Sequence, residues 1–204
     1  MNLPEELIEA VEYLSGAVTI SSKHEDGRIN SIDDEDMVLE LLTEKYGEEN
    51  VVKPPPRSWW DLKLFGYHTN IKSSDFSNGK ADNLNSKAAL MFALTNLSES
   101  EINRHHFGNW PNWYIAFKNN SGTENNRDYY IIVIDKSTGK VYLQTLKSLQ
   151  VLTPNGNNLP FQINWARNTE IVERSYEEAY EFLVGCFKQS VMKKIEVHDG
   201  YEDL

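Results

Sequence analysis

Three consecutive prolines, Pro54-Pro55-Pro56, divide the chain into two stretches of different character. None has a backbone N–H to donate and each ring fixes φ. The segment can therefore continue neither a helix nor a central strand, and it reads as a rigid connector. Apolar residues recur at helical spacing before it, and short runs of strand character follow it.

Leu7, Ala10, Val11 and Leu14 predict a first helix over 3–14. Residues 21–32, polar and containing Gly27, read as a loop. A second helix is expected over 33–46, with Ser31, Asp33 or Asp34 as its cap and Gly47 as its stop. Asn50–Lys53, Trp59–Leu64 and Tyr67–Ser73 are strand candidates, the last two joined by a turn at Gly66. Asp82 or Asn83 is expected to cap a helix running through Leu90 and Leu94 to about residue 96. Trp113–Phe117 could be strand or helix, because its periodicity fits both. A buried strand at 129–134 turns through Ser137-Thr138-Gly139 into 141–143, and Phe161–Trp165 is a further strand. Ser175 and Glu178 form a capping box ahead of a last helix, expected over roughly 175–195. This order predicts a single α/β domain over 1–204, a central mixed β-sheet flanked by helices.

The net charge is −11 over 204 residues, which argues at first against a nucleic-acid partner. The charge is unevenly placed, however. Residues 1–52 carry a net of −11, residues 53–168 a net of +5, and residues 169–204 a net of −5. The middle segment can present a basic cleft between acidic flanks. An equally simple reading makes the flanks aids to solubility. No apolar run is long enough for a membrane span, and the acidic start at Glu5-Glu6 lacks the basic opening of a signal peptide. A cytoplasmic location is expected. The single cysteine, Cys186, lies in an apolar stretch and reads as a buried thiol. There is no phosphate loop, dinucleotide fingerprint or nucleophile elbow.

The chemistry concentrates on the paired strand candidates. Asn70 and Lys72 share one face of their strand, while Ile71 points into the core. If the two strands pair through the turn at Gly66, Asp61 lies beside them. A carboxylate, an amide oxygen and an ammonium then converge, which suits phosphodiester hydrolysis with Mg²⁺. On the second helix, Glu35 projects onto the apolar face with Val38, Leu39 and Leu42, at roughly 100° per residue. It either supplies a further carboxylate or complements the helix dipole.

These residues resemble the PD-(D/E)XK nuclease superfamily, in which an Asp begins one strand and a (D/E)-x-K tripeptide occupies the next. Asp61 matches the first acid and Asn70-Ile71-Lys72 the tripeptide, over a core of roughly 33–145. Two departures stand out: Trp60 precedes Asp61 where the family often has proline, and Asn70 replaces the usual acid. The stretches 70–97 and 129–165 further resemble type II restriction endonucleases. The resemblance implies a restriction-endonuclease-like fold, Mg²⁺ as cofactor, and Asp61, Asn70 and Glu35 as metal ligands with Lys72 completing the catalytic set. It also implies site-specific cleavage of double-stranded DNA by a homodimer, a two-fold protein matching a palindromic site.

Under that reading, DNA contacts are expected from Asn78, Lys80, Asn83, Asn85 and Lys87, from Arg104 and His105, and from Asn155 and Asn157. Amide and guanidinium groups can read base edges, though Asn-rich loops are also simply turns. His105-His106 lacks partners at zinc-like spacing, and the five tryptophans read as packing rather than base-stacking platforms. Two other readings remain: a repair or structure-specific nuclease of the same fold, or a non-catalytic acidic DNA mimic or regulatory protein.

Overall fold

The computed structural model describes residues 3–18, 27–56, 58–84, 87–104, 108–122, 124–157 and 159–202. In chain order the elements are α1 (Glu5–Ala17), α2 (Gly27–Tyr46), β1 (Val51–Val52), β2 (Leu62–Leu64), β3 (Tyr67–Ser74) and β4 (Asp82–Leu84). Then come α3 (Lys87–Leu94), α4 (Glu99–Arg104), α5 (Trp110–Asn120), β5 (Tyr130–Asp135) and β6 (Val141–Thr145). Last are β7 (Thr153–Pro154), β8 (Phe161–Ile163) and α6 (Tyr176–Glu202). They form two compact units, residues 1–80 with 130–145, and residues 81–129 with 146–204. The expected catalytic core, 33–145, is thus shared between the two.

The first unit holds a five-stranded sheet of order β1-β2-β3-β5-β6. Only the β3–β5 pair is parallel, so the sheet is mixed, as the sequence predicts. Strand alternation sends Ile71, Tyr130, Ile132 and Ile134 to one face. There they form a buried cluster with Leu7, Ala10 and Leu14 of α1 and Val38 and Leu42 of α2. Asn70 and Lys72 take the opposite face.

Strands β2 and β3 are joined by a two-residue turn. Phe65 and Gly66 both have positive φ, 51° and 84°. That pair of values marks the turn whose twist matches a hairpin's strands. Phe65 is a poor residue for this conformation. It is held by its N–H, which donates to Asn50 O at 2.8 Å, and by edge contact with the Tyr46 ring at 5.0 Å.

The second unit holds a three-stranded antiparallel sheet, β4-β8-β7. Its buried apolar residues include Leu90, Phe117, Trp165 and Phe187. The capping box at the start of α6 forms as predicted. Ser175 N–H donates to Glu178 Oε2 at 2.8 Å, and Glu178 N–H donates to Ser175 Oγ at 3.2 Å. Cys186 is buried, and burial pushes its thiol up to about 12, so it stays protonated.

Several elements differ from the sequence prediction. Helix α2 already includes 27–32, expected as loop, and residues 21–26 lie outside the described residues. Asp82 and Asn83 do not cap a helix; they pair with Ile163 and Gln162 in a sheet. Trp113–Phe117 is helical, capped by Asn109, whose side chain accepts from Asn112 N–H at 3.0 Å. Trp165 opens a short 3-10 turn, Trp165–Arg167, rather than ending the strand.

Gly66 sets the hairpin that aligns Asp61 with Asn70. A Cβ there would meet nothing within 4 Å, so a substitution costs only backbone strain. Gly66→Ala is expected to lose about 1 kcal/mol in urea unfolding, and Gly66→Asn less, since left-handed backbone disfavours most side chains. An unchanged midpoint in Gly66→Ala would rule out this turn.

Candidate active site

The hairpin brings the three predicted residues together within the first unit. Asp61 N–H donates to Thr69 O at 3.0 Å, extending the β2–β3 contact past Leu62. The Asp61 side chain then turns onto β3. Its Oδ2 accepts from Asn70 Nδ2 at 2.6 Å and from Ile71 N–H at 2.8 Å. Because an ionised carboxylate only accepts, the Asn70 amide must present its nitrogen to Asp61 and its oxygen elsewhere. Asn70 is buried, and its Oδ1 has no hydrogen-bond partner. An amide oxygen buried without a partner is costly unless something else binds it.

Electrostatics tie Glu35 and Lys72 to the same place. Burial raises the Asp61 pKa, while the Lys72 ammonium and the Ile71 N–H pull against it. Glu35 is pushed up to about 7, first by burial and then by the Asp61 charge, with Lys72 opposing. Glu35 is therefore a half-buried carboxyl facing the site rather than a solvated helix acid. Next to it, Asp34 forms an ion pair with Lys136 at 2.6 Å, and Lys136 N–H donates to Ser74 O at 2.8 Å. That link fastens the part of α2 bearing Glu35 to the ends of β3 and β5. The sequence pairing of Asp34 with Lys136 spans too many residues to be seen from local pattern.

Glu35 and Asp61 line an open cleft of about 350 Å³, with Pro54, Pro55, Pro56 and Trp60 forming part of its wall. The proline connector thus becomes a stiff border to the site. Lys53 also lines it, a base that the sequence pattern did not single out.

The donor set suits a hard cation: the Glu35 and Asp61 carboxylates and the unpartnered Asn70 Oδ1 are all oxygens. Among the described residues, no group of three His, Cys, Asp or Glu side chains is placed to hold a metal. The protein therefore offers two carboxylates and an amide, and water or a phosphate would have to complete an octahedral shell. Mg²⁺ fits that incomplete set, since it normally keeps several waters and binds through one or two carboxylates.

The residues expected to contact DNA are scattered. Asn78 and Lys80 are exposed, and Asn78 Oδ1 accepts from Lys80 N–H at 2.7 Å in a local turn. Asn155 is buried and its Nδ2 donates to Asn83 Oδ1 at 3.1 Å, so the two amides are partners of one another inside the second unit. Asn157 N–H donates to Asn155 Oδ1 at 3.2 Å. Lys87 begins α3 and Arg104 ends α4. Asn85 and His105 lie outside the described residues.

The chain matches no family model and no curated protein sequence. Among solved structures, a restriction endonuclease in complex with substrate DNA is similar over 84% of this chain and 74% of its own, at 17% identity and a TM-score of 0.32. No described helix is long and apolar enough to cross a membrane.

The Glu35 shift has a consequence for stability. Folded Glu35 holds its proton to about pH 7, whereas the unfolded chain releases it near 4.5. The folded state binds more protons between those values, so metal-free wild type loses stability as pH rises through that window. Glu35→Gln cannot ionise and escapes the loss. The melting temperature of Glu35→Gln relative to wild type, measured in EDTA, should therefore climb from pH 4 to pH 8. A difference that stays constant across that range would place Glu35 in solvent.

Proposed function

We propose that this protein is a Mg²⁺-dependent endodeoxyribonuclease that cleaves double-stranded DNA at specific sites, in the manner of type II restriction enzymes. The observation that carries the reading is the Asp61 carboxylate clasped by Asn70 and Ile71, with Glu35 and Lys72 in its electrostatic field. An acid, an unpartnered amide oxygen and an ammonium on adjacent strands form an arrangement that phosphodiester hydrolysis uses and that a purely structural hairpin does not need.

Within this reading each residue has a distinct task. Bound Mg²⁺ would supply Lewis-acid polarisation of the phosphate and charge neutralisation. Asp61 and Glu35 would hold the cation, and Asn70, whose Nδ2 fixes the Asp61 carboxylate, would offer its unpartnered oxygen as a further ligand. Lys72 positions the attacking water and offsets charge that develops on the phosphoryl oxygens. The water oxygen bonds to phosphorus as the bond from phosphorus to the sugar oxygen breaks; the water gives one proton to solvent or a neighbouring base, and the departing sugar oxygen takes one from solvent. Asn78 and Lys80, exposed in the same unit, are the proposed DNA contacts closest in sequence to β3. A homodimer would let two such sites address both strands of a palindrome.

Incubation of plasmid with the protein and Mg²⁺ tests the reading. Discrete fragments are expected; a smear would favour a repair or structure-specific nuclease, and intact plasmid the non-catalytic acidic protein. Asp61→Ala and Lys72→Ala should each slow cleavage on the order of a hundredfold or more with unchanged circular dichroism. Near-normal cutting by either variant would remove that residue from the active site.

Asn70 gives a sharper test of the metal. A neutral amide lends one oxygen and no charge, so free wild type should bind Mg²⁺ weakly and cognate DNA should tighten it. Asn70→Asp adds a charge, and calorimetric titration of the DNA-free protein should show stronger Mg²⁺ binding than wild type. Equal affinities would mean that position 70 does not touch the cation.

A further inference from the structure

In the second unit, two lysines from distant parts of the chain meet over one tryptophan. Lys87 Nζ lies 5.0 Å from the Trp110 ring centroid and 5.7 Å from that of Trp113. Lys194 Nζ lies 5.8 Å from the Trp110 centroid. Trp110 is itself held by stacking on Phe187, 5.9 Å between centroids. Lys87, Trp110, Trp113 and Lys194 are all half-buried, so the ammonium groups are partly stripped of water.

No described carboxylate accounts for this convergence. Neither lysine forms an ion pair with a described residue. The Lys87 pKa is lowered first by burial and then by the Lys194 charge, so its resolved charged neighbour is another cation. Cation–π attraction offsets part of the cost. Two like charges held together, poorly hydrated and with no acid paired to them among the described residues, form a site suited to an anion. The tryptophans narrow the class of anion, because basic groups beside aromatic faces suit a phosphate attached to a sugar and base.

We propose that Lys87 and Lys194, arranged on Trp110, form a binding site for a backbone phosphate of nucleic acid. This inference adds a sequence-independent DNA contact to the nuclease reading and rests on it only for the identity of the nucleic acid. The site anchors DNA and takes no part in bond cleavage. It makes Lys87 a phosphate ligand rather than a reader of bases, and it brings in Lys194 and two tryptophans that otherwise count only as packing.

The test measures binding of a fluorescent duplex by anisotropy in EDTA, between roughly 50 and 200 mM salt. Each neutralised phosphate contributes about 0.9 to the slope of log affinity against log salt. Lys87→Gln/Lys194→Gln should bind more weakly than wild type, with a slope shallower by about 1, the share of the one phosphate that the two lysines hold together. The exposed pair Lys118→Gln/Lys188→Gln removes the same charge and should leave the slope nearly unchanged. The double variant should be no less stable than wild type in urea, because like-charge repulsion has been removed. Equal slopes for the two double variants, or wild type that does not bind duplex, would overturn the proposal. Tight calorimetric binding of inorganic phosphate by wild type without duplex binding would also overturn it, and would identify a free-phosphate site. Lysine-dependent duplex binding by a protein that cuts no plasmid would leave this site standing and sink the nuclease reading alone.

Discussion

The candidate site depends on one carboxylate accepting two hydrogen bonds. Asp61 lies just before β2 and would otherwise be a free strand-end acid. Its bonds to Asn70 Nδ2 and Ile71 N–H lock it against β3. The Ile71 N–H is a backbone donor, and the Ile71 side chain is anchored in the core cluster on the other face. The clasp therefore transmits the rigidity of the buried sheet directly to the polar site. The Phe65-Gly66 turn sets its register, and the Asp34–Lys136 ion pair brings the second carboxyl, Glu35, to the same ground. A slip of one residue in the hairpin would turn Asn70 and Lys72 toward the apolar cluster.

How much of this could be read in advance follows from how local each signal is. Alternation along 67–73 and a glycine at the hairpin tip are local, and β3 and its pairing with β2 form as predicted. The amphipathic pattern of α2 is equally local, and it placed Glu35 on the buried side. By contrast, Asp82 and Asn83 predict a helix cap because both residue types favour caps, and the true partner of β4, β8, lies some eighty residues downstream. Non-local pairing of a three-residue strand overrides such a preference without leaving a trace in the sequence around it. The Asp34–Lys136 link is invisible for the same reason.

Two misses had signals that were present. Ser98 and Glu101 form a reciprocal capping box, Ser98 N–H donating to Glu101 Oε2 at 2.7 Å and Glu101 N–H to Ser98 Oγ at 3.3 Å. That Ser-x-x-Glu spacing announces α4, a helix that hydrophobic periodicity alone does not mark. Asn109 followed by Pro111 likewise marks the start of α5, since proline is tolerated in a first helical turn. Punctuation settles the helix there where hydrophobic periodicity fits both helix and strand.

The amide at position 70 has a physical reason that the sequence pattern alone hides. An acid there would put two carboxylate oxygens near the 2.6 Å that now separates Asn70 Nδ2 from Asp61 Oδ2. Two carboxylates that close cannot both ionise without a cation between them. Burial already raises the Asp61 pKa, and Glu35 is already at about 7. A third acid would push the metal-free site to take up protons or to open. Asparagine replaces that shared proton with a permanent N–H donor. Asp61 is then held without a shared proton, and the amide keeps an oxygen that no hydrogen bond uses. On the metal-dependent reading proposed above, the cost would be a lower affinity for the cation. A site so arranged is preorganised but undercharged, and the missing negative charge is one that the phosphate of a bound nucleic acid can itself supply.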